Sequence, residues 1–217
     1  MAFEKKTEGR HPLEGVKSLA SGDRSLDNVI ILSGQNLPAM AVLAKVTHGA
    51  ATAAAKAGGN TGGATISAVV VGSDAMPGVH SVRVVDENTN LGDFAVHRPN
   101  GTLIGYGRVG TEFVGGGLTF TVTDVGTDLI AGDGWDITVA AGSGKYALHD
   151  PDAVNGRETA VAILLDACDA SAGDTQATVI ARDAEVVAAA LQWETGLDTN
   201  GKAAGIAELA TRGIIAR

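Results

Sequence analysis

Two glycine clusters constrain this chain more than anything else in it. Gly58-Gly59-Asn60-Thr61-Gly62-Gly63 and Gly142-Ser143-Gly144 bracket a long block of short apolar-alternating segments. Such runs order poorly, because glycine loses more backbone freedom on folding than any other residue. They read as hinges, and the block between them reads as a unit dropped into a loop of another fold. Within it, Thr65 to Val71, Val79 to Val85, Asp93 to His97, Thr102 to Val109, Leu118 to Thr123 and Trp135 to Val139 are strand-like. Met76-Pro77-Gly78, Arg98-Pro99-Asn100-Gly101, Gly115-Gly116-Gly117 and Ala131-Gly132-Asp133-Gly134 separate them as turns. This spacing predicts an inserted all-β antiparallel sandwich over residues 58–142. Residues 57–142 hold three basic and nine acidic side chains, which suits a solvated outer face.

The flanks, residues 29–57 and 143–217, are expected to form one discontinuous core. Val29-Ile30-Ile31-Leu32 is a short strand stopped by Ser33-Gly34, and Met40 to Thr47 resumes as a strand after the Asn36-Leu37-Pro38 turn. The alanine-rich stretch from Gly49 to Ala57 reads as a loop or a weak helix. Lys145 to His149, Thr159 to Leu165 and Ala177 to Arg182 are further strands, and Asp183 to Trp193 is mixed. Asp198 or Thr199 is positioned to cap a helix with Ile206, Leu209 and Ala210 on one face and Gly213 as its stop. Ile214-Ile215 ends the fold as a strand or packed tail. The expected class is a β-rich mixed α/β core with a C-terminal helix.

Residues 1–28 read differently. Charges alternate in sign, and the apolar residues Phe3, Leu13, Val16, Leu19 and Leu26 follow neither a helical nor a strand period. The segment is therefore expected to be a flexible arm when free, with a fully extended reach of about 90 Å.

The chemistry-bearing residues point away from catalysis. A net charge of −9 and singly scattered lysines and arginines argue against nucleic-acid binding. The charged start carries no apolar leader and no run spans a bilayer, so cytoplasmic synthesis without a membrane partner is expected. The single Cys168, in an apolar run, reads as a small buried hydrophobe. Gly105-Tyr106-Gly107-Arg108-Val109-Gly110 matches the dinucleotide spacing but leads into turn and strand, where a helix N-terminus is required. His80 and His97 are candidates to face each other across strands. Asp124, Asp128, Asp133 and Asp136 offer hard oxygens for adventitious calcium, and Arg182, Asp183 and Glu185 suggest a structural ion pair. No catalytic, cofactor or metal site is expected.

Taken in order, Ser33-Gly34-Gln35-Asn36-Leu37-Pro38-Ala39, Gly144-Lys145-Tyr146, Asp150-Pro151, Thr159 to Leu165, Val179 to Val186, Trp193 and Gly213-Ile214-Ile215 resemble the phage lambda-type head decoration protein family. The resemblance covers about residues 28–49 and 144–217. It implies a trimer on the outer phage capsid at three-fold and quasi-three-fold positions, clamping the major capsid protein against the pressure of packed DNA. It also implies that the arm orders against the capsid, which would make Phe3, Leu13, Val16, Leu19, Leu26 and Val29 contact residues. Ser33, Gly34, Gln35, Leu37, Pro38, Arg182, Asp183 and Trp193 would be the family-motif core. The rival expectations are a tail or fibre structural protein, or an adhesion module. In the latter, the inserted sandwich contacts a host surface or glycan through Tyr106, Trp135, Phe94, Phe113 and Phe120.

Overall fold

The computed structural model describes residue 11 and residues 13–88 and 91–217. Their contacts group into two compact units: residues up to 46 with 144–217, and residues 47–143. In chain order the first unit opens with β1 (Val16–Leu19), a 3-10 turn (Gly22–Ser25), β2 (Leu26–Ile31), β3 (Gln35–Leu37) and β4 (Val42–Lys45). The second unit holds β5 (His48–Ala55), β6 (Ala64–Ile66), β7 (Val70–Val71), β8 (Gly78–Asn88) and β9 (Leu91–His97). It continues with β10 (Leu103–Arg108), β11 (Glu112–Gly115), β12 (Leu118–Asp124) and β13 (Gly134–Ala141). The first unit then resumes with β14 (Tyr146–Leu148), β15 (Ala160–Leu164), β16 (Cys168–Ala170), β17 (Thr175–Ile180), β18 (Ala184–Val186), α1 (Thr199–Ala210) and β19 (Ile214–Ala216).

The first unit is a closed barrel in the order β14-β2-β17-β15-β4, with a β1-β18-β19 sheet and a β16-β3 pair. All five residues of β15 are buried, as an unbroken apolar run requires when both faces of a strand are covered. One side of the barrel packs Ile31, Leu43, Leu164 and Val179, the other Met40, Val42, Ile163, Ile180 and Leu209. Helix α1 starts where expected: the Asp198 carboxylate accepts from Gly201 N–H at 2.7 Å. It ends at Gly213, whose φ of +75° turns the chain into β19. Leu209 is fully buried and Ile206 partly so, but Ala210, expected on the same face, is exposed.

The N-terminal segment departs from the flexible-arm expectation. From Val16 onward it is built in: β1 pairs antiparallel with β18, and β2 is a barrel strand paired with β17 along its whole length. Sequence patterning is silent here because two apolar residues suffice once the rest of the barrel supplies their partners. Residues 1–10 and 12 lie outside the described residues.

The second unit is made of two antiparallel sheets, β10-β9-β8-β13-β5 and β11-β12-β6, with β7 also on β12. Both contribute to one core containing Val82, Val84, Phe94, Val96, Phe113, Phe120, Val122 and Ile137. The alanine-rich stretch is strand β5 and belongs to this unit, paired with β13 from Trp135↔Ala55 to Ala141↔His48. Thr65 to Val71 is two short strands.

Both glycine clusters make specific local contacts. Gly62 and Gly63 are glycine because a Cβ there would lie 2.4 Å from the Asp128 and Val125 carbonyl oxygens respectively. At the chain crossings, Gly142 N–H donates to Thr47 C=O, and Gly144 N–H donates to Val46 C=O, each at 3.0 Å.

Candidate functional site

Leu13 sits in a turn with φ +70° and is 52% exposed; its carbonyl accepts from Val16 N–H at 2.9 Å. Beyond that turn the expected contact residues are partly buried against the barrel. Val16, Leu19 and Leu26 pack on the Met40–Ile163–Leu209 side of the barrel, and Val29 packs on the other side. A Cβ on Gly15 would lie 2.6 Å from Met40 Cε, so the backbone there runs flush against the core. Phe3 lies outside the described residues.

A crossed pair of ion pairs fastens this segment. Arg24 Nε reaches Asp183 Oδ2 at 2.9 Å, and Arg182 pairs with Asp27 while also donating to the Arg24 carbonyl at 2.8 Å. Between them Ser25 is fully buried; its Oγ donates to the Asp183 carbonyl at 2.7 Å and accepts from Ala20 N–H at 2.8 Å. Asp183 has φ +48°, and Gly213 makes room for it, since a Cβ at 213 would lie 2.8 Å from Asp183 Oδ1. The ion pairs are half-exposed and worth up to about 1 kcal/mol each. The Ser25 bonds contribute about 1 kcal/mol each, and the apolar packing beneath them stabilises the segment more than either. Arg182 and Asp183 are thus structural ion-pair residues, but their partners lie on the N-terminal segment. Glu185 pairs with Arg217 at 3.2 Å. Arg24, Ser25 and Asp27 escaped sequence reasoning, because partners some 155 positions apart leave no local signal.

The remaining motif residues form a second group. Ser33 N–H donates to Asp174 Oδ1 at 3.0 Å, and Lys145 pairs with the same carboxylate; together they hold Asp174 below the usual carboxylate range, Lys145 contributing most. Gly34 has φ +86°, the left-handed turn that stops β2 from continuing. Gln35 Oε1 accepts from Leu148 N–H at 3.3 Å. Leu37 lies opposite Cys168, whose thiol pKa is raised by burial and by Asp169, so it is a packing residue. Pro38 is exposed, and its carbonyl accepts from Ala41 N–H at 3.2 Å. Trp193 lies over Gly205, where a Cβ would come within 2.6 Å of the ring, and meets His149 edge-on at 5.8 Å. Among the described residues no three His, Cys, Asp or Glu side chains are placed to hold a metal.

In the second unit, four of the five candidate stacking rings are interior. Phe94, Phe113 and Phe120 form a cluster with centroids 5.2 to 6.1 Å apart, and Trp135 is buried beside them. Only Tyr106, 67% exposed, is available from outside. The Gly-x-Gly motif lies on strand β10: a Cβ on Gly107 would meet the Phe94 ring at 2.3 Å, so the glycine serves close packing. Ser81, not His80, pairs with His97, so the two histidines point to opposite faces. His80 is fully buried, and burial pushes its pKa below the usual imidazole value, with the Arg98 charge adding to the effect and nearby backbone at Gly78 and Ile137 only partly offsetting it.

The aspartates do not converge either. Asp133 is buried and accepts from the N–H groups of Thr61 and Gly62 at 2.9 Å and of Ile130 at 3.2 Å. Burial alone would raise its pKa. The Gly62, Thr61 and Ile130 N–H groups and Lys56 outweigh that and hold it low. Asp136 pairs with Arg83 at 2.5 Å.

The described residues form a β-rich fold with a single α-helix near its C-terminal end. The family model of bacteriophage lambda head decoration protein D matches residues 5–214. The chain belongs to that family, and membership supports a phage capsid decoration role. No curated protein matches the chain. Among solved structures it is similar to FlgL of Xanthomonas campestris at 17% identity, covering 48% of this chain and 33% of that one, with a TM-score of 0.34. It is also similar to the flagellar junction protein FlgL of Legionella pneumophila at 16% identity, covering 48% and 34%, with a TM-score of 0.34. The chain spans about a third of the length of these structures.

Proposed function

We propose that this chain is a capsid cement protein that binds the outer surface of a phage head as a homotrimer at three-fold and quasi-three-fold positions. There it holds neighbouring major capsid subunits together against internal DNA pressure. The observation that carries this reading is the family match across residues 5–214. It needs no catalytic centre: a clip that spans subunit boundaries raises the energy of separating them, and trimerisation multiplies each weak contact through effective concentration.

The contact segment is the stretch before Val16, with Leu13 at its base. Val16, Leu19, Leu26 and Val29 serve as its anchorage, since they already pack in the barrel. An extended segment gains affinity through main-chain hydrogen bonds and requires little hydrophobicity of its own. The second unit, a sandwich in this reading, projects from the capsid.

Heads assembled without the protein, from a phage that encodes it, provide the test. Full-length chain co-sediments with expanded heads and raises the temperature at which they release DNA. Chain lacking residues 1–15 melts like the full-length protein yet stays in the supernatant. Undiminished co-sedimentation of the truncated chain overturns the contact segment. Failure of the full-length chain to bind heads overturns the function.

A further inference from the structure

The second unit has an open flank. Strand β10 ends one of its sheets and β11 ends the other, and a groove of about 600 Å³ runs between them. Every second residue of an edge strand turns its N–H and C=O away from the sheet, so both rims carry unpaired main-chain groups. Natural edges are commonly blunted with proline, lysine or several charges. Here Leu103–Arg108 and Glu112–Gly115 contain no proline and one charge each. Gly105, Gly107 and Gly115 line the groove where the Phe113 ring packs close to the backbone, so no side chain of theirs fills it.

Two further features mark this groove. The most exposed large apolar side chains among the described residues, Val114 at 71% and Tyr106 at 67%, stand one on each rim. The charge around it is unbalanced: Arg108 is paired with Asp93 at 3.6 Å, whereas Glu112 has no ion-pair partner among the described residues. We propose that this groove binds an extended segment of another polypeptide by strand addition. The segment is apolar at alternate positions and carries a lysine or arginine that meets Glu112. A second copy adding its own open edge fits poorly, because it brings another Glu112 to the rim while its Arg108 is already paired with Asp93. The inference stands apart from capsid binding and is tested on the free protein.

The probe is a capped peptide of alternating valine and threonine ending in lysine, added to isotope-labelled full-length chain. Amide shifts and slowed hydrogen exchange are expected at Leu103–Arg108 and Glu112–Gly115. The same peptide ending in glutamate binds about three- to ten-fold more weakly, the range expected when one exposed pair changes from attraction to repulsion. Glu112→Lys, at an exposed side chain, inverts that preference, and Tyr106→Ala weakens both peptides. Perturbation confined to other strands, no perturbation at about 1 mM peptide, or equal affinity for the two peptides overturns the proposal. So does sedimentation showing that the chain dimerises through β10.

Discussion

The two units solve the same burial problem with different side chains. The first fills a narrow five-stranded barrel with Ala, Val, Ile, Leu and Met, and among its described residues no fully buried side chain is aromatic. The second gathers Phe94, Phe113, Phe120 and Trp135 in its core. Closure differs as well: the barrel has no free edge, whereas the second unit keeps β10 and β11 open. A narrow closed core tolerates a split chain, since its strands are held from both sides. An open pair of sheets depends on a few large residues.

The largest effect that would break this comparison is removal of one unit. Excising residues 47–143 and joining Val46 to Gly144 should leave a cooperatively melting first unit by circular dichroism; loss of the transition would show that the units depend on each other. Next, Phe94→Ala should cost the second unit about 3–5 kcal/mol while leaving the first unit's amide-exchange protection unchanged. Acidification should follow as a smaller effect. Below pH 6.5 the unfolded chain takes up a proton that buried His80 refuses, so the second unit loses stability as pH falls from 6.5 toward the lowered native value. Above 6.5 this contribution is constant, and His80→Leu should flatten the melting temperature within that window. The smallest effect is Arg182→Ala, which removes a half-exposed pair and should destabilise the first unit by up to about 1 kcal/mol in denaturant titrations.

Much of the barrel was readable in the chain. Ala160–Leu164 is an unbroken apolar run, Asp198 announces the helix, and Gly34 and Gly213 mark turns that only glycine adopts cheaply. Strand β5 was not readable, because alanine has little strand preference and its half-buried alternation carries no hydrophobic contrast. Strand β1 was hidden because its partner lies at the far end of the sequence. The run Gly58 to Gly63 misled for a different reason: glycine looks the same whether it serves freedom or contact, and here Asp133 pins Thr61 and Gly62. The Arg24–Asp183 and Arg182–Asp27 cross-links were invisible for want of any local pattern.

The bonded crossings at Val46–Gly144 and Thr47–Gly142 carry a practical consequence. They put the departing and returning strands side by side, so the two ends of the intervening segment leave the barrel as neighbours. A foreign polypeptide whose own ends lie close together would meet the same spacing at this point as residues 47–143 do.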